Sequence, residues 1–267
     1  MLVDSRLIEA VGASSAQLGI RAVESFRAAG FLDAAWEQCD SGALIAMGPG
    51  RFVNRAIGVG LGGTNAAEVL DQVERFYDER GLSPCVEVCP WASDLIAEMS
   101  ARGYLIDDIR DVYIHTLDEL PHRSSIEIRE VPDDGGVDGP LAASWVEILA
   151  SNSEPESAGW HRDIEFFKIA LQMPQRINLA AYIDGSPSST ASLSIVGSIV
   201  EFGAATTLAS ARGRGAQQAL IAERLHRTKE LGCEYAVVVS IPGSTSARNL
   251  QRAGFQLLFN AVLMRRP

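Results

Sequence analysis

The last third of the chain alternates between strand-like and helix-like patterns of apolar residues. Residues 199–209 (IVEFGAATTLA) and 233–241 (CEYAVVVSI) are apolar or β-branched runs, which are typical of buried strands. Between them, residues 216–231 place apolar side chains at helical spacing and end before a glycine. A short helix over 245–253 and a strand over 255–265 complete the predicted order.

The first half of the chain repeats this order of elements. The pattern predicts a strand over 54–61, an amphipathic helix over 65–80 and a second strand over 85–90. A helix over 92–102 and a strand or hairpin over 104–117 follow. The helices and strands of the two halves therefore match in order and in length.

Glycine spacing supports this correspondence. Two helix-ending glycines stand 22 residues apart in each half, Gly81 and Gly103 in the first and Gly232 and Gly254 in the second. An aromatic residue follows the second glycine of each pair, and 151 residues separate the copies. Glycine commonly ends helices because it adopts positive φ without strain. Order, length and spacing together predict an internal duplication.

A polar segment that contains a proline, DELPHRSS, separates the two halves. It predicts a first domain over residues 1–120 and a second over 126–267. In the second domain two helices precede three strands, and a helix, a strand, a helix and a strand follow. Residues 130–140 are turn-rich and residues 151–160 resemble an exposed loop. This mixture predicts an α/β fold class with a mixed sheet.

Composition excludes several classes of protein. Of the 267 residues 47% are hydrophobic and 21% are charged, as in ordinary globular proteins. The net charge of −11 argues against a nucleic-acid partner, because phosphate binding needs a basic face. That charge is compatible with a cationic acceptor such as an amine, but chiefly indicates a solvated acidic surface. No apolar run approaches the roughly 18–20 residues of a membrane span, and the start of the chain lacks the pattern of a signal peptide. We expect a cytoplasmic protein without a membrane partner.

The four cysteines do not form a metal-ligand pattern. Cys85 and Cys89 lie four residues apart on one face of a predicted strand. A zinc site would need about two further ligands nearby, and none of the four histidines is suitably spaced. We therefore expect no metal, and reduced cysteines in the core.

The segment ARGRGAQ, residues 211–217, joins a predicted strand to a predicted helix. Such a turn leaves backbone N–H groups free at the start of the helix, where the helix dipole favours an anion. Gly213 and Gly215 permit close approach of the backbone, and Arg212 and Arg214 add charged donors. The combination favours an extended anion such as a pyrophosphate. The alternative is a solvated arginine turn that binds nothing.

Two other phosphate-binding motifs do not fit this turn. A P-loop requires Lys followed by Ser or Thr after its second glycine, where this chain has Ala216 and Gln217. A dinucleotide-binding fingerprint requires a third glycine and an acidic residue about 20 residues further on, and the third glycine is missing.

The stretch RGRGAQ closely resembles the signature turn of the GCN5-related N-acetyltransferases. That signature is Arg or Gln, two free positions, Gly, one free position, and then Gly or Ala. Arg212 and Gly215 match it, whereas Gln217 departs from it. The element order of residues 126–267 and the closing RNLQRAGF also resemble that family, and the first half resembles it more faintly.

The resemblance implies tandem domains, each a mostly antiparallel twisted sheet flanked by helices. It also implies that acetyl-CoA is the cosubstrate and that its pyrophosphate lies on the turn. The strand before the turn would pair with the pantetheine arm and hold the thioester carbonyl. The residues implied to bind the cosubstrate are Thr207, Leu208, Ala209, Arg212, Gly213, Arg214, Gly215, Ala216 and Gln217, with Ser246 and Asn249 as candidates near its far end.

The resemblance also suggests catalytic residues. Glu201 is placed like the general base of the histone-acetylating branch, although it can instead face solvent or pair with an arginine. The usual general acid is a tyrosine four residues before the helix-ending glycine, where this chain has Leu250. Tyr235 is the substitute if it faces the cleft, and a core residue if it does not.

The first copy departs from the signature. Residues 61–66, LGGTNA, correspond to the turn but contain neither arginine. We expect the first domain to be a degenerate copy that has lost the anion site and serves a structural role, such as a wall of the acceptor cleft.

Together these features predict an acetyl-CoA-dependent N-acetyltransferase that acts on a primary amine of a small molecule or peptide by direct attack. A CoA-binding sensor or interaction module without turnover is the main alternative, and a nucleotide-binding module is another. Trp160, His161 and Phe166 fall where acceptor-binding helices lie in the resembling fold, although such aromatic residues more commonly pack in a core.

Overall fold

In the computed structural model, residues 5–132, 135–153, 155 and 157–267 are described. The predicted loops 130–140 and 151–160 therefore lie partly outside the described residues, as does the start of the chain. The chain divides into two units that are not continuous in sequence. The first unit runs up to Tyr113 and includes Val239–Ala247 and Leu257–Pro267, and the second contains Ile114–Val238 and Arg248–Gln256.

Every element that the sequence predicts is present in the predicted order, and the structure adds a helix and two strands at the start of the first half and one strand at the start of the second half. The first half contains α1 (Ser5–Ala28), β1 (Ala35–Cys39), β2 (Gly42–Ala46), β3 (Arg55–Ile57), α2 (Ala66–Asp78), β4 (Cys85–Val88), α3 (Ser93–Ala101) and β5 (Leu105–His115). The second half contains β6 (Ile128–Val131), α4 (Pro140–Ala150), α5 (Ala158–Leu171), β7 (Arg176–Ile183), β8 (Ser186–Val196), β9 (Ile199–Thr207), α6 (Ala216–Glu230), β10 (Tyr235–Ser240), α7 (Thr245–Arg252) and β11 (Gln256–Arg265).

In the first unit the strands lie in the order β1-β2-β3-β4-β11-β5. The β3–β4 pair is parallel, whereas β1–β2, β2–β3 and β4–β11 are antiparallel. The apolar stripe of α2 packs on this sheet. Within that stripe the Tyr77 hydroxyl donates a hydrogen bond to the Ile45 carbonyl at 3.0 Å, which satisfies a polar group inside the core.

In the second unit the order is β10-β9-β8-β7-β6, and again a single pair, β9–β10, is parallel among those whose register is described. Helices α4 and α5 cover one face around Trp145, whose indole N–H donates to the Leu179 carbonyl at 3.1 Å. Helix α6 covers the other face through Ala216 and Leu220. A mixed, mostly antiparallel sheet flanked by helices confirms the predicted fold class.

Among the described residues, five glycines end helices in the same way. Each adopts positive φ, and its N–H binds the carbonyl three residues earlier. The next residue's N–H binds the carbonyl five residues earlier, which is the Schellman arrangement. These residues are Gly30 and the four regularly spaced glycines, Gly81, Gly103, Gly232 and Gly254. The repeated glycine spacing of the sequence thus corresponds to repeated local structure.

The last strand of the chain completes the first unit. Val262 of β11 pairs with Val88 of β4, and Arg265 pairs with Cys85. Nothing in the sequence pattern indicates that the last strand pairs with a strand of the first half of the chain. The division into a degenerate first domain over 1–120 and an acetyl-CoA-binding second domain over 126–267 therefore stays a prediction.

The cysteines are free thiols. Cys39, Cys85 and Cys89 are buried, and Cys233 is half-buried. Burial is the main reason that their thiol pKa values are raised, to about 12 for Cys39. In the described part of the chain, no helix combines the length and the apolar character needed to cross a membrane.

Candidate functional site

Strand β9 carries a bulge near its end. Thr190 of β8 pairs with Thr206 and Ser192 pairs with Gly203, so two residues of β9 oppose one residue of β8. Ala204 in this bulge has φ +49°, an uncommon angle for a residue with a side chain. The Thr190 hydroxyl donates to the Ala204 carbonyl at 2.9 Å and holds the bulge in place.

Strands β9 and β10 pair over only part of their length. The parallel register runs from Ile199 and Tyr235 to Phe202 and Val238, and β9 then continues through the bulge to Thr207. Among the described pairings, the edge of β9 beyond Phe202 on the β10 side therefore has no strand partner. An extended ligand can bind such an edge through its backbone groups.

The predicted glycine–arginine turn follows β9 directly. One turn of 3-10 helix, Ala209–Ala211, leads to Gly213 at φ +77° and Gly215 at φ +84°. A Cβ added at Gly213 would meet no atom within 4 Å. Glycine is favoured at position 213 by its backbone angle, and the space around it is open to a ligand.

The N-terminus of α6 has no side-chain cap. Its N-cap residue is Gly215, and the first backbone hydrogen bond of the helix joins the Ala219 N–H to the Gly215 carbonyl. The N–H groups at the start of the helix therefore precede the hydrogen-bonded turns, and the positive end of the helix dipole lies at the same place. This arrangement suits an anion such as a phosphate.

The two arginines of the turn make different contacts. The Arg214 guanidinium forms a bidentate ion pair with Asp184 in the β7–β8 turn, at 2.5 and 2.7 Å. This hydrogen-bonded partner lowers the pKa of Asp184. The Nε of the exposed Arg212 donates to the Thr207 carbonyl at 3.3 Å. Both side chains keep their charge beside the turn, but the donors of Arg214 are shared with a carboxylate.

Gln217, which departs from the family signature, points inward. Its amide Nε2 lies 2.8 Å from the Ser189 hydroxyl and 3.2 Å from the carbonyl oxygens of both Thr190 and Thr206. The side chain thus joins the start of α6 to β8 and to the bulged end of β9. Sequence reasoning missed this role, although the hydroxyl-rich stretch of β8 was the available signal.

The predicted catalytic residues lie on the β9–β10 pair. Glu201 is half-buried and pairs in register with Val237, and Tyr235 pairs with Ile199. Paired residues share a face of the sheet, so the side chains of Glu201 and Tyr235 are on the same face. Tyr235, however, begins β10, at the end of the pair remote from the bulge and the turn. The geometry therefore supports Glu201 more than Tyr235.

The remaining candidates lie on or near α7. Leu250 is buried. Asn249 is half-buried in the second unit, and its Oδ1 accepts a hydrogen bond from Arg252 at 3.5 Å. Ser246 belongs to the first unit and lines a cavity of about 460 Å³ with Arg55 and Arg110. The structure thus brings together the residues from Thr207 to Gln217, but groups neither Ser246 nor Asn249 with them through a described contact.

The aromatic residues named from the sequence lie on α5. Trp160 is half-buried and makes an edge contact with the exposed His161, with ring centroids 5.0 Å apart. Phe166 makes a similar contact with Phe167, which packs against the core under α4. A role for these residues in acceptor binding stays a prediction.

Beneath β9 lies a buried arginine that sequence reasoning missed. The Arg224 guanidinium of α6 lies 4.3 Å from the ring centroid of Phe202 and donates to the Ser192 carbonyl at 3.2 Å. Burial lowers the pKa of Arg224 to about 9. A cation–π contact and carbonyl acceptors stabilise the charge at this position.

Solved structures share this arrangement of helices and strands. A GCN5-related N-acetyltransferase from Kribbella flavida superposes with a TM-score of 0.67 over 96% of this chain and 96% of that chain, at 17% identity. One from Sphaerobacter thermophilus has a TM-score of 0.57 over 79% of this chain and 70% of that chain, also at 17% identity. The chain has the GCN5-related N-acetyltransferase fold.

A tandem GNAT protein from the clavulanic acid biosynthesis pathway shares the fold as well. Its TM-score is 0.53 over 83% of this chain and 73% of that chain, at 14% identity. No family model matches the sequence, and no curated protein matches it significantly. The resemblance seen in the sequence is thus confirmed for the GNAT fold, and an activity has to be argued from the residues of the site.

Proposed function

We propose that the chain is an N-acetyltransferase that transfers an acetyl group from acetyl-CoA to a primary amine of a small molecule or peptide by direct attack. The observation that carries this proposal is the turn before α6. It combines an uncapped helix N-terminus, two glycines at positive φ and open space around Gly213. The GNAT fold of the chain is consistent with it.

The described residues fit coenzyme A in two places. The N–H groups of the turn from Gly213 to Gln217 suit the diphosphate, because they lie near the positive end of a helix dipole, whereas the Arg212 N–H donates to the Ala209 carbonyl. The edge of β9 beyond Phe202 suits an extended arm with amide groups, because backbone N–H and C=O groups there have no strand partner among the described pairings. Arg212 adds positive charge beside the turn, whereas the charge of Arg214 is balanced by Asp184.

The chemistry divides between cosubstrate and protein. Acetyl-CoA supplies an activated acyl group, and the protein must orient the amine and remove its proton. In this proposal Glu201 accepts that proton, directly or through a water molecule. Tyr235 remains the candidate for protonating the departing thiolate, on the less favourable geometry described above.

The turn can be tested with two variants of nearly equal shape. Asn and Asp tolerate positive φ better than most residues, and a side chain at position 213 has open space. G213D places a carboxylate where the diphosphate would lie, whereas G213N does not. We expect G213D to raise the Kd of acetyl-CoA about tenfold or more over G213N, which corresponds to ~1.4 kcal/mol. Isothermal titration calorimetry measures both variants, and equal Kd values would overturn the proposed site.

A CoA-binding module without turnover is a second candidate, and the buried Leu250 at the usual tyrosine position favours it. The two candidates differ in one measurement. An acetyltransferase releases CoA thiol when a panel of primary amines is added, and the release depends on the amine. A module without turnover also binds acetyl-CoA. With it, however, CoA thiol is released no faster than in a reaction without protein.

A further inference from the structure

Residues 61–66 of the first unit correspond in sequence to the turn Arg212–Gln217, but a carboxylate of the same unit binds the N–H groups there. Helix α2 begins at Ala66, as α6 begins at Ala216. Before α2, the backbone N–H groups of Gly60 and Gly62 donate to the Asp40 carboxylate at 2.8 and 2.9 Å, and the N–H of Thr64 donates at 3.3 Å. Three converging amides form an anion-binding nest, and a side chain of the same unit fills it.

The fit of the carboxylate is close. A Cβ added at Gly62 would lie 2.2 Å from Asp40 Oδ1, which no real contact permits. Asp40 itself has φ +49° in the tight turn between β1 and β2, so the hairpin directs its side chain toward the nest. The Ser41 hydroxyl also donates to the carboxylate, at 3.3 Å. The hairpin and the turn are therefore built to hold this one group.

The pKa of Asp40 agrees with a carboxylate that is held in the nest in its ionised form. Burial raises the pKa of Asp40, but hydrogen bonds from Gly62, Thr64, Ser41 and Gly60 together lower it by more. The resulting pKa lies below the usual value for an aspartate. Asp40 is therefore ionised at neutral pH. In addition, Asn65 caps α2 by accepting the Ala67 N–H at 2.9 Å, so the helix end is satisfied as well.

The second unit differs in both respects. Its N-cap residue, Gly215, makes no side-chain cap. The carboxylate beside the turn of the second unit belongs to Asp184. In the described contacts it is bound to the Arg214 guanidinium and not to backbone N–H groups. One turn is thus satisfied by its own protein, and the other is available to a ligand.

We propose that the Asp40 carboxylate occupies an anion site that the first unit retains, so that this unit takes up no phosphate or diphosphate while the carboxylate is in place. The site is latent rather than lost, because the three amides that form it are still present. A consequence, which rests on the proposed function, is that the chain binds one equivalent of acetyl-CoA and not two.

The first test uses inorganic phosphate and the amide signals of Gly60, Gly62 and Thr64 in NMR spectra. In D40A we expect phosphate to shift these three signals in a saturable way. In the wild type and in D33N, which removes an exposed charge outside the nest, we expect no shift. A phosphate response of the wild-type amides, or a folded D40A without any response, would overturn the proposal.

A second measurement needs no variant that opens the nest. In the wild type, the same three amide signals should move together as acid protonates Asp40, with one apparent pKa below that of an ordinary aspartate. In D40N that shared titration should disappear. Independent titration of the three amides, or a shared titration that persists in D40N, contradicts occupancy by Asp40.

The stoichiometry of acetyl-CoA separates this inference from the proposed function. One equivalent bound by the wild type, and abolished by G213D, supports both. No binding by the wild type refutes the proposed function but leaves the phosphate test of Asp40 intact. Two equivalents, one of which survives G213D, would show that the first unit is open and that the inference is wrong.

Discussion

Three glycines illustrate how differently one residue type is used in this chain. Gly213 has positive φ and open surroundings, so its backbone angle alone favours glycine. Gly62 is excluded from substitution by the Asp40 carboxylate. At Gly254 both reasons apply, since φ is +93° and a Cβ would lie 2.9 Å from His115 Nε2. Only at the first of these positions does a substitution test a ligand site without disturbing a neighbour.

The proposed proton acceptor is tested by E201Q, which keeps the shape of the side chain and removes its basicity. We expect kcat to fall by about 10²–10⁴-fold, the usual contribution of a general base. The Kd of acetyl-CoA should stay unchanged, because Glu201 precedes the edge and the turn that suit the cosubstrate. Steady-state kinetics with an amine substrate, beside calorimetry, measures both quantities. E234Q, at an exposed position just before β10, is the control, and a kcat of E201Q within twofold of the wild type would contradict the role.

The hydrogen bonds of Asp40 predict a pH dependence of stability. The pKa of Asp40 is lowered in the folded state, so its contribution to the free energy of unfolding is present above the unfolded pKa of about 3.9. That contribution is lost as the pH falls through the folded pKa. The stability difference between the wild type and D40N should therefore be constant near neutral pH and shrink in acid. Urea unfolding across this pH range measures it; the same profile in D33N would show that the effect is not specific to Asp40.

At the scale of elements, the contact between α6 and the bulged end of β9 depends on one amide group. Gln217 binds three oxygen atoms from two strands. It thereby fixes the start of the helix relative to the strand edge that the proposed function assigns to the cosubstrate. The family signature places a small residue at this position, so this chain has added a connection there.

Q217A should lower the free energy of unfolding by about 1 kcal/mol, the net value of such hydrogen bonds. Q217E should lower it further, because a carboxylate would face the carbonyl oxygens of Thr190 and Thr206, and an unsatisfied buried acceptor costs about 1–3 kcal/mol. Q218A, at the exposed next position, is the control. Urea unfolding ranks the three variants, and equal stability of Q217A and Q217E would show that the side chain does not point inward in solution.

Local pattern predicted most elements and few of their partners. Helix α6 begins at Ala216, as the pattern predicts, and ends one residue before the predicted end. Its bounds could be predicted because a glycine lies near each end of the helix. The bulge at Ala204 and the hydrogen bonds from Gly60, Gly62 and Thr64 to Asp40 depend on residues brought together by the fold, which periodicity does not encode. Gln217 departs visibly from the signature in the sequence, but its partners on β8 and β9 are set by the fold. The resemblance assigns Ser246 to the cosubstrate, and in the structure this residue lines a cavity of the first unit; its role in binding stays a prediction.

At the scale of the whole chain, the two units are interleaved in sequence. Strand β11 lies between β4 and β5 in the first unit, although more than half of the chain separates β11 from them. A contact between residues so distant in sequence is slow to form. The duplication predicted from glycine spacing therefore does not imply two halves that fold independently.

This interleaving predicts how fragments behave. Expressed alone, residues 126–267 should aggregate or remain partly unfolded, because β11 lacks β4, and residues 1–120 should do the same because β4 lacks β11. Co-expression of the two fragments should restore a soluble complex. Circular dichroism and size-exclusion chromatography measure these outcomes, with the full chain cut in the 118–126 segment after folding as the control. A monomeric, cooperatively unfolding 126–267 fragment would contradict the prediction.

The low reactivity expected of the cysteines has a practical consequence for assays. All four thiols have raised pKa values, and the thiolate is the form that attacks disulfide reagents. The native protein should therefore react slowly with such a reagent, while free coenzyme A reacts at once. Release of the CoA thiol can thus be followed by absorbance with little background from the protein. The slow reaction of the protein's own thiols then measures the rate at which local unfolding exposes them.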